Sequence, residues 1–249
     1  MLIVAVSLGT AFSVSELLPY VSPERRMRSS RLKREDDVHR SLVGEMLARM
    51  FAMGIEGLRN DEIRFEQGVF GKPRLSGMRE PWDYNLSHSG KWVAGIVSRK
   101  GQRVGIDIQK MAAVDLLQAR YSLSAEEMEH YHTLLHPDAQ MHYFYDLWTR
   151  KESYLKMEGI GLSVPNRAVF SEQYALKYEQ SLLSDQLPDH GFRQYPIDPG
   201  YVLTACSTDF RFPEQSLVVR AKDLAEVFLR RCREQEETAC NRRDEVTVP

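Results

Sequence analysis

The segment 104–110, Val-Gly-Ile-Asp-Ile-Gln-Lys, carries two side chains that could share a metal ion. Aliphatic residues alternate in it with small and polar ones, as in a strand that is buried on one face. That alternation places Asp107 and Gln109 on the same face, roughly 7 Å apart, close enough to share one hard cation through a water. An aspartate between aliphatic residues is also typical of an ordinary strand edge, so the segment alone leaves both interpretations open.

A second segment, 148–156, carries a carboxylate and a cation at helical spacing. Trp148, Glu152 and Lys156 recur every four residues, which places them on one face of a helix. Glu152 and Lys156 alone could be a common surface ion pair. In combination with Asp107, they predict a metal site with a neighbouring ammonium group.

The two segments lie about forty residues apart, and their sequences resemble the signature of the 4′-phosphopantetheinyl transferases, in particular the larger, surfactin-synthetase-type branch. The resemblance extends from about residue 1 to residue 220. Six further segments agree with it in order: Ser22-Pro-Glu-Arg25, His39-Arg-Ser-Leu42, Gly71-Lys-Pro73, Asn85-Leu-Ser-His-Ser-Gly90, Gly159-Ile-Gly-Leu-Ser163 and Asp198-Pro-Gly-Tyr201.

The resemblance implies an α+β fold of two similar lobes, a pseudo-dimer within one chain, with coenzyme A in the cleft between them. It gives an N-terminal lobe over 1–102 and a C-terminal lobe with the metal and catalytic motifs over 103–222. We expect a C-terminal helix and a flexible, charged tail over 223–249. Because one chain would form a complete site, we also expect a monomer.

The resemblance also implies the reaction. The 4′-phosphopantetheine group of coenzyme A would pass to a serine hydroxyl of an apo carrier protein, releasing adenosine 3′,5′-bisphosphate. Asp107, Gln109 and Glu152 would hold Mg²⁺, with Mn²⁺ as an alternative. Glu152 would take the serine proton, while Lys156 would stabilise negative charge on the phosphate. The expected acceptors are peptidyl carriers of nonribosomal peptide synthetases, with acyl carrier proteins as the alternative.

Gln109 departs from the family, because many close relatives have an acid at this position. An amide oxygen can coordinate a cation but carries no charge. Either Gln109 is a neutral metal ligand in an active enzyme, or the protein binds Mg²⁺ more weakly. We prefer the first interpretation because both Asp107 and Glu152 are present.

The basic run at 25–34 is typical of a solvated helix face and, less often, of a nucleic-acid patch. The resemblance instead implies that it binds phosphate. Ser41 could otherwise be a neutral surface hydroxyl, and Lys72 an ordinary turn lysine. The residues expected to contact coenzyme A are Arg25, Arg28, Arg40, Ser41, Lys72, Ser87, His88, Lys151 and Lys156.

Two rival functions use the same residues. A metal-dependent phosphohydrolase acting on coenzyme A or nucleotides would need no protein acceptor. A non-catalytic carrier-binding module would keep only the pocket. The complete set of Lys151, Glu152 and Lys156 favours the transferase over both.

Composition restricts the class of protein. The 249 residues suffice for one large domain or two small ones, with 43% hydrophobic and 27% charged residues. A net charge of −2 argues against a general nucleic-acid binder. The apolar N-terminus, 1–8, is too short to span a bilayer and is predicted to be a strand. Three scattered cysteines do not form a disulfide framework, so we expect a cytoplasmic protein without a membrane segment.

Apolar periodicity predicts the remaining elements. A helix is expected over 35–53, with Gly54 as its stop. Ser124 and a glutamate three residues later indicate a capping box, although Glu126 or Glu127 could instead lie near a metal. Four histidines, at 130, 132, 136 and 142, do not have zinc spacing and receive no role. The other predicted elements are strands near 63–65, 92–97, 168–172, 191–196, 201–207 and 216–221, and helices over 124–136, 139–158 and 222–233.

Overall fold

The computed structural model describes residues 1–9, 12–68, 71–77, 82–99, 101–159 and 190–246, with side chains up to residue 240. The strand predicted near 168–172 lies outside these residues. The strands are β1 (Leu2–Ser7), β2 (Phe65–Gln67), β3 (Pro73–Leu75), β4 (Asp83–Ser89), β5 (Trp92–Ser98), β6 (Val104–Lys110), β7 (Gly191–Gln194), β8 (Tyr201–Ser207) and β9 (Leu217–Arg220). The helices are α1 (Val14–Leu17), α2 (Pro23–Arg31), α3 (Glu35–Glu56), α4 (Leu116–Ser122), α5 (Ala125–Thr133), α6 (Pro137–Glu158) and α7 (Ala221–Val246).

The strands form two main sheets and a small hairpin. The first sheet has the order β4-β5-β1-β9, in which only the β1 and β9 pairing is parallel. The second sheet is antiparallel with the order β6-β8-β7, and β2 pairs with β3. These separate sheets, combined with helices, confirm the predicted mixed class of α and β structure.

The first sheet is covered on one face by α3 and α7. Met46 and Leu47 of α3 pack with Phe228 of α7 and with β1 and β5 in one core. Gly95 allows the close approach of α3, because a Cβ atom there would lie 2.6 Å from Leu47 Cδ2. The opposite face packs against the second sheet, where residues such as Ile96 and Ile106 share another core. The two sheets therefore bury apolar residues against each other.

Two predicted helix ends were wrong. Helix α3 passes Gly54 and ends at Glu56, because Gly57 takes the left-handed conformation (φ 67°) and donates its N–H to the Met53 carbonyl at 3.1 Å. Helix α7 continues to Val246, well beyond the predicted end at residue 233. The prediction that Gly159 ends α6 is confirmed, with φ 74°.

The C-terminal elements return to the first sheet. Strand β9 pairs in parallel with β1, with Val219 opposite Val6, and α7 buries Phe228 and Cys232 in the first core. Strand β9 and α7 therefore pack with the first sheet, and the predicted division of the chain into lobes stays a prediction. Among the described residues, no helix is both long and apolar enough to cross a membrane.

Candidate active site

The site is built where the edge strands of the two main sheets meet. Strands β4 and β6 do not pair through their backbones. Instead, alternate side chains of β4 accept hydrogen bonds from the outward-facing N–H groups of β6. The four bonds run from Val104 N to Asp83 Oδ2 (2.9 Å), Ile106 N to Asn85 Oδ1 (3.1 Å), Ile108 N to Ser87 Oγ (3.3 Å) and Lys110 N to Ser89 Oγ (3.0 Å). This ladder satisfies the edge of β6 and fixes its register against the first sheet.

Helix α6 lies directly on β6. A Cβ atom at Gly105 would be 1.9 Å from the Ser153 carbonyl oxygen, so only glycine permits this approach. Gly105 and Asp107 share one face of the strand because their positions differ by two. The close contact therefore brings Glu152 and Lys156 of α6 against the face that carries Asp107.

Asp107 is the centre of what we call the acid cluster, formed by Asp107, Glu152, Lys156, Ser87 and Gln109. Its carboxylate is 1% exposed. Oδ1 accepts hydrogen bonds from Lys156 Nζ at 2.5 Å and from Ser87 Oγ at 2.8 Å, while Oδ2 accepts one from Gln109 Nε2 at 3.1 Å. Lys156 Nζ also donates to Ser87 Oγ at 2.8 Å. These contacts hold Asp107 in one orientation.

Glu152 is the second carboxylate of the cluster. It is buried, and its side chain has no hydrogen bond or ion pair within the part of the chain that the structure describes. Desolvation raises the pKa of Glu152, and the negative charge of Asp107 raises it further, while Lys156 opposes the shift. A buried, unpartnered carboxylate with a raised pKa is suited to binding a cation or accepting a proton.

The donor set fits Mg²⁺, which is usually held by one or two carboxylates together with substrate phosphate. Within the described ranges, no three His, Cys, Asp or Glu residues group as a metal site, so the two carboxylates are the acidic ligands available. Gln109 now orients Asp107 through its amide nitrogen. To ligate a cation, Gln109 must present its amide oxygen instead.

A second group, which we call the basic arm, consists of Arg25, Arg28, Arg40, Ser41 and His88. Arg25 donates from Nε to Glu45 at 2.8 Å and from Nη1 to Ser41 Oγ at 3.1 Å. Arg40 binds Asp37 and donates to the Gly90 carbonyl oxygen at 2.6 Å. Arg28 is exposed and has no hydrogen bond or ion pair among the described residues. Its guanidinium is therefore available to an anion.

His88 is the member of the basic arm that also feels the charge of Lys156 in the acid cluster. Its side chain is exposed on β4, next to the buried Ser87. Desolvation, followed by the charges of Arg40 and Lys156, lowers the pKa of His88. The neighbouring cations that disfavour a positive charge on His88 also attract a bound phosphate.

Comparison with known proteins agrees with this geometry. Residues 103–206 match the family described as the 4′-phosphopantetheinyl transferase superfamily, and residues 10–100 match the N-terminal region of a 4′-phosphopantetheinyl transferase. The chain is 35% identical to 4′-phosphopantetheinyl transferase Sfp of Bacillus subtilis (strain 168), over 83% of its own length and 91% of that protein. The chain belongs to the 4′-phosphopantetheinyl transferase superfamily.

Two further members of the superfamily have similar identity. Transferase ffp of Bacillus subtilis is 34% identical over 82% of this chain and 89% of its own length. Transferase psf-1 of Bacillus pumilus is also 34% identical, over 78% of this chain and 82% of its own length. The protein is accordingly a 4′-phosphopantetheinyl transferase.

Two of the predicted coenzyme A contacts, Lys72 and Lys151, are lysines whose ammonium groups already bind acceptors within the protein. Lys151 Nζ donates to the Ser122 carbonyl oxygen at 2.9 Å and forms an ion pair with Glu127. Glu127 also completes the capping box of α5 with Ser124, which confirms that prediction, while Glu126 is exposed. Lys72 Nζ is 2.5 Å from Asp83 Oδ2 and likewise donates to backbone carbonyls. Both ammonium groups have protein partners in place of solvent.

Sequence reasoning missed Glu45, which organises the basic arm. Glu45 is 3% exposed and binds Arg25, Arg49 Nε (2.9 Å) and the Ser22 N–H (2.6 Å). Burial alone would raise its pKa, but Arg49, the Ser22 N–H and Arg25 outweigh burial and lower it. An acidic residue directly before Met46, inside an apolar stretch of α3, was the available signal. The ladder acceptors Asp83 and Asn85 were also missed.

Proposed function

We propose that this transferase moves the 4′-phosphopantetheine group from coenzyme A to a serine hydroxyl of an apo carrier protein. The carrying observation is that the buried carboxylates of Asp107 and Glu152 lie together with the half-buried ammonium group of Lys156. The serine oxygen forms a bond to the phosphorus next to pantetheine. The bond from that phosphorus to the departing bisphosphate breaks, and adenosine 3′,5′-bisphosphate leaves.

Glu152 accepts the serine proton in this proposal. A serine hydroxyl does not ionise by itself at neutral pH, and the raised pKa of Glu152 brings its basicity closer to the working pH. Lys156 donates to a phosphate oxygen as negative charge develops. Its ammonium group has three N–H donors, of which two bind Asp107 and Ser87 among the described residues, so one is available for substrate. Ser87 keeps Asp107 oriented during this step.

Asp107 and Glu152, with Gln109, would hold Mg²⁺ or Mn²⁺. The bound ion supplies charge neutralisation for the pyrophosphate. In this proposal Arg25, Arg28, Arg40, Ser41 and His88 bind the phosphate groups of the adenosine end. Two contacts support it: Arg25 donates to Ser41 Oγ, and Arg40 donates to the Gly90 carbonyl oxygen just after β4. Ser87, Lys72 and Lys151 were predicted contacts as well, although their polar groups already have protein partners.

For the acceptor, we propose peptidyl carriers of nonribosomal peptide synthetases first and acyl carriers second, following the surfactin-synthetase-type branch that the sequence resembles. The two main sheets would be the centres of two similar lobes, with 217–246 joined to the first. One chain carries all the proposed site residues, which supports a monomer. Cys206, Cys232 and Cys240 are free thiols, which supports a cytoplasmic location.

The test is the intact mass of an apo peptidyl carrier and an apo acyl carrier after incubation with the protein, coenzyme A and MgCl₂. A gain of roughly 340 Da, the mass of one phosphopantetheinyl group, is expected in the carrier. An EDTA sample and a Glu152→Gln sample should give no gain. Wild-type protein that modifies neither carrier would refute the proposal.

A further inference from the structure

Lys72 connects three separate parts of the molecule through one ammonium group. It precedes β3, and its Nζ contacts Asp83 Oδ2 of β4 at 2.5 Å, the Val104 carbonyl oxygen of β6 at 2.9 Å and the Met157 carbonyl oxygen of α6 at 3.3 Å. These three acceptors use all the hydrogen atoms that a lysine ammonium can donate. Lys72 therefore joins the first sheet to both elements that carry the acid cluster.

The acceptors of Lys72 adjoin the residues of the acid cluster. Met157 follows Lys156 directly and lies in the last turn of α6, where free carbonyl groups favour a cation. Val104 begins the strand that carries Asp107. Asp83 Oδ2 accepts a hydrogen bond from the Val104 N–H as well, so one carboxylate fixes both Lys72 and the start of the ladder.

The side chain of Lys72 is enclosed by these contacts. It is 9% exposed, and its partner Asp83 is 19% exposed. Desolvation lowers the pKa of Lys72, and the charge of Asp83 opposes that shift. To bind a phosphate, Lys72 would have to leave its acceptors, and Asp83 would lose its cation inside the protein. Arg28, which is exposed and unpartnered among the described residues, has no such restriction.

We propose that Lys72 is a positioning residue, which with Asp83 clamps β6 and the C-terminal end of α6 onto the first sheet and so sets the geometry of Asp107, Glu152 and Lys156. In this proposal Lys72 positions these groups instead of contacting the phosphate or adenine of coenzyme A, which is the role that the resemblance implies for it. The inference rests on the proposed transferase reaction, since the geometry in question is that of its acid cluster.

The test compares Lys72→Met, Asp83→Asn and the double variant with wild type. For each, kcat and KM for coenzyme A are measured with the carrier in excess, the Kd of coenzyme A is measured by calorimetry, and Tm is recorded. Lys91→Met is the matched control, because Lys91 also pairs with an aspartate, Asp198 at 2.8 Å, but on the surface.

A positioning role predicts that kcat falls about 10- to 100-fold in both single variants, because small displacements of catalytic groups are costly. KM and Kd for coenzyme A should stay within about twofold of wild type, and the double variant should lose no more than the worse single variant, since the two residues act as a unit. Lys91→Met should match wild type.

A phosphate contact predicts a different pattern. Lys72→Met would then weaken coenzyme A binding about tenfold with a smaller change in kcat, and Asp83→Asn, which releases the ammonium, would leave binding unchanged or tighter. That result, or full activity of Lys72→Met, would overturn the inference. If Lys72→Met does not fold, Asp83→Asn decides by itself, through loss or retention of kcat.

Failure of the proposed reaction is separable from failure of the inference. A wild-type protein that modifies no carrier would contradict the reaction alone. The calorimetric Kd would then decide the role of Lys72, because retained coenzyme A binding in Lys72→Met supports positioning and weakened binding opposes it.

Discussion

The acid cluster and the basic arm differ in how far their polar groups are already bound within the protein. Asp107 is buried and accepts hydrogen bonds from Lys156, Ser87 and Gln109. Arg28 of the basic arm is exposed and has no partner in the described ranges. In the proposed reaction, Asp107 is thus oriented before substrate arrives, whereas Arg28, in the region proposed to bind the adenosine end, is still open to solvent.

The comparison implies that substitutions in the two regions change different quantities. Changes in the acid cluster should lower kcat, because they alter reacting groups or their orientation. Changes in the exposed part of the basic arm should weaken coenzyme A binding and leave the chemical step alone.

The largest effect is expected for Glu152→Gln. Transfer should fall about 10²- to 10⁴-fold, because the proton acceptor is lost. The free energy of unfolding near neutral pH should be unchanged or higher, because a raised folded-state pKa means that the charged form of Glu152 is disfavoured on folding. Carrier mass measured against time, with a melting curve, checks both. The exposed Glu126→Gln is the control, and more than a tenth of wild-type activity in Glu152→Gln would contradict its role.

Glu45→Gln tests the buried support of the basic arm. Removing this charge should cost about 3–5 kcal/mol of unfolding free energy, because it leaves Arg25 and Arg49 without their anion. The folded-state pKa of Glu45 lies below its ordinary value of 4.5, so the difference between wild type and variant should be full above that value.

The same difference should shrink as the pH falls through the lowered pKa, since wild-type Glu45 is then protonated too. Urea unfolding at several pH values measures it. Asp61→Asn, which breaks an exposed ion pair with Arg59, should change stability little. A difference that grew with acid would refute the assignment of the network to Glu45.

Ser87→Ala sharpens the boundary between the two regions, because Ser87 was predicted to bind coenzyme A but lies inside the acid cluster. The variant removes hydrogen bonds to Asp107, Lys156 and the Ile108 N–H. We expect kcat to fall about tenfold with little change in the Kd of coenzyme A. In Ser41→Ala, the matched change in the basic arm, the Kd should rise instead. A higher Kd of coenzyme A in Ser87→Ala, with kcat unchanged, would mean that Ser87 contacts substrate.

The smallest effect is expected for Arg28→Gln. The Kd of coenzyme A should rise about two- to fivefold at low salt, because one exposed charge contributes little, and the difference should shrink as salt is added. The melting temperature and kcat should not change. Calorimetric titration at two salt concentrations measures this, and a large loss of kcat would place Arg28 in the chemistry.

Local patterns were enough to predict the elements that carry the acid cluster. The alternation in 104–110 predicted a strand with the bounds that β6 has. The spacing of Glu152 and Lys156 predicted that they share one face of a helix, and both lie on α6. Contacts between distant segments were not readable. The ladder from β4 to β6 depends on how two sheets meet, and the position of Lys72 depends on three elements at once. Gly54 failed as a stop because a glycine is also tolerated within a helix, and the left-handed residue is Gly57.

The most direct test measures two quantities for the wild-type protein in EDTA, the Kd of coenzyme A and the rate at which the carrier is modified. If the basic arm binds and the acid cluster reacts, coenzyme A should still bind, with a Kd raised by no more than about tenfold, while transfer to the carrier stops. Transfer that continues in EDTA, or coenzyme A binding that disappears with the metal, would contradict the division of the site into these two regions.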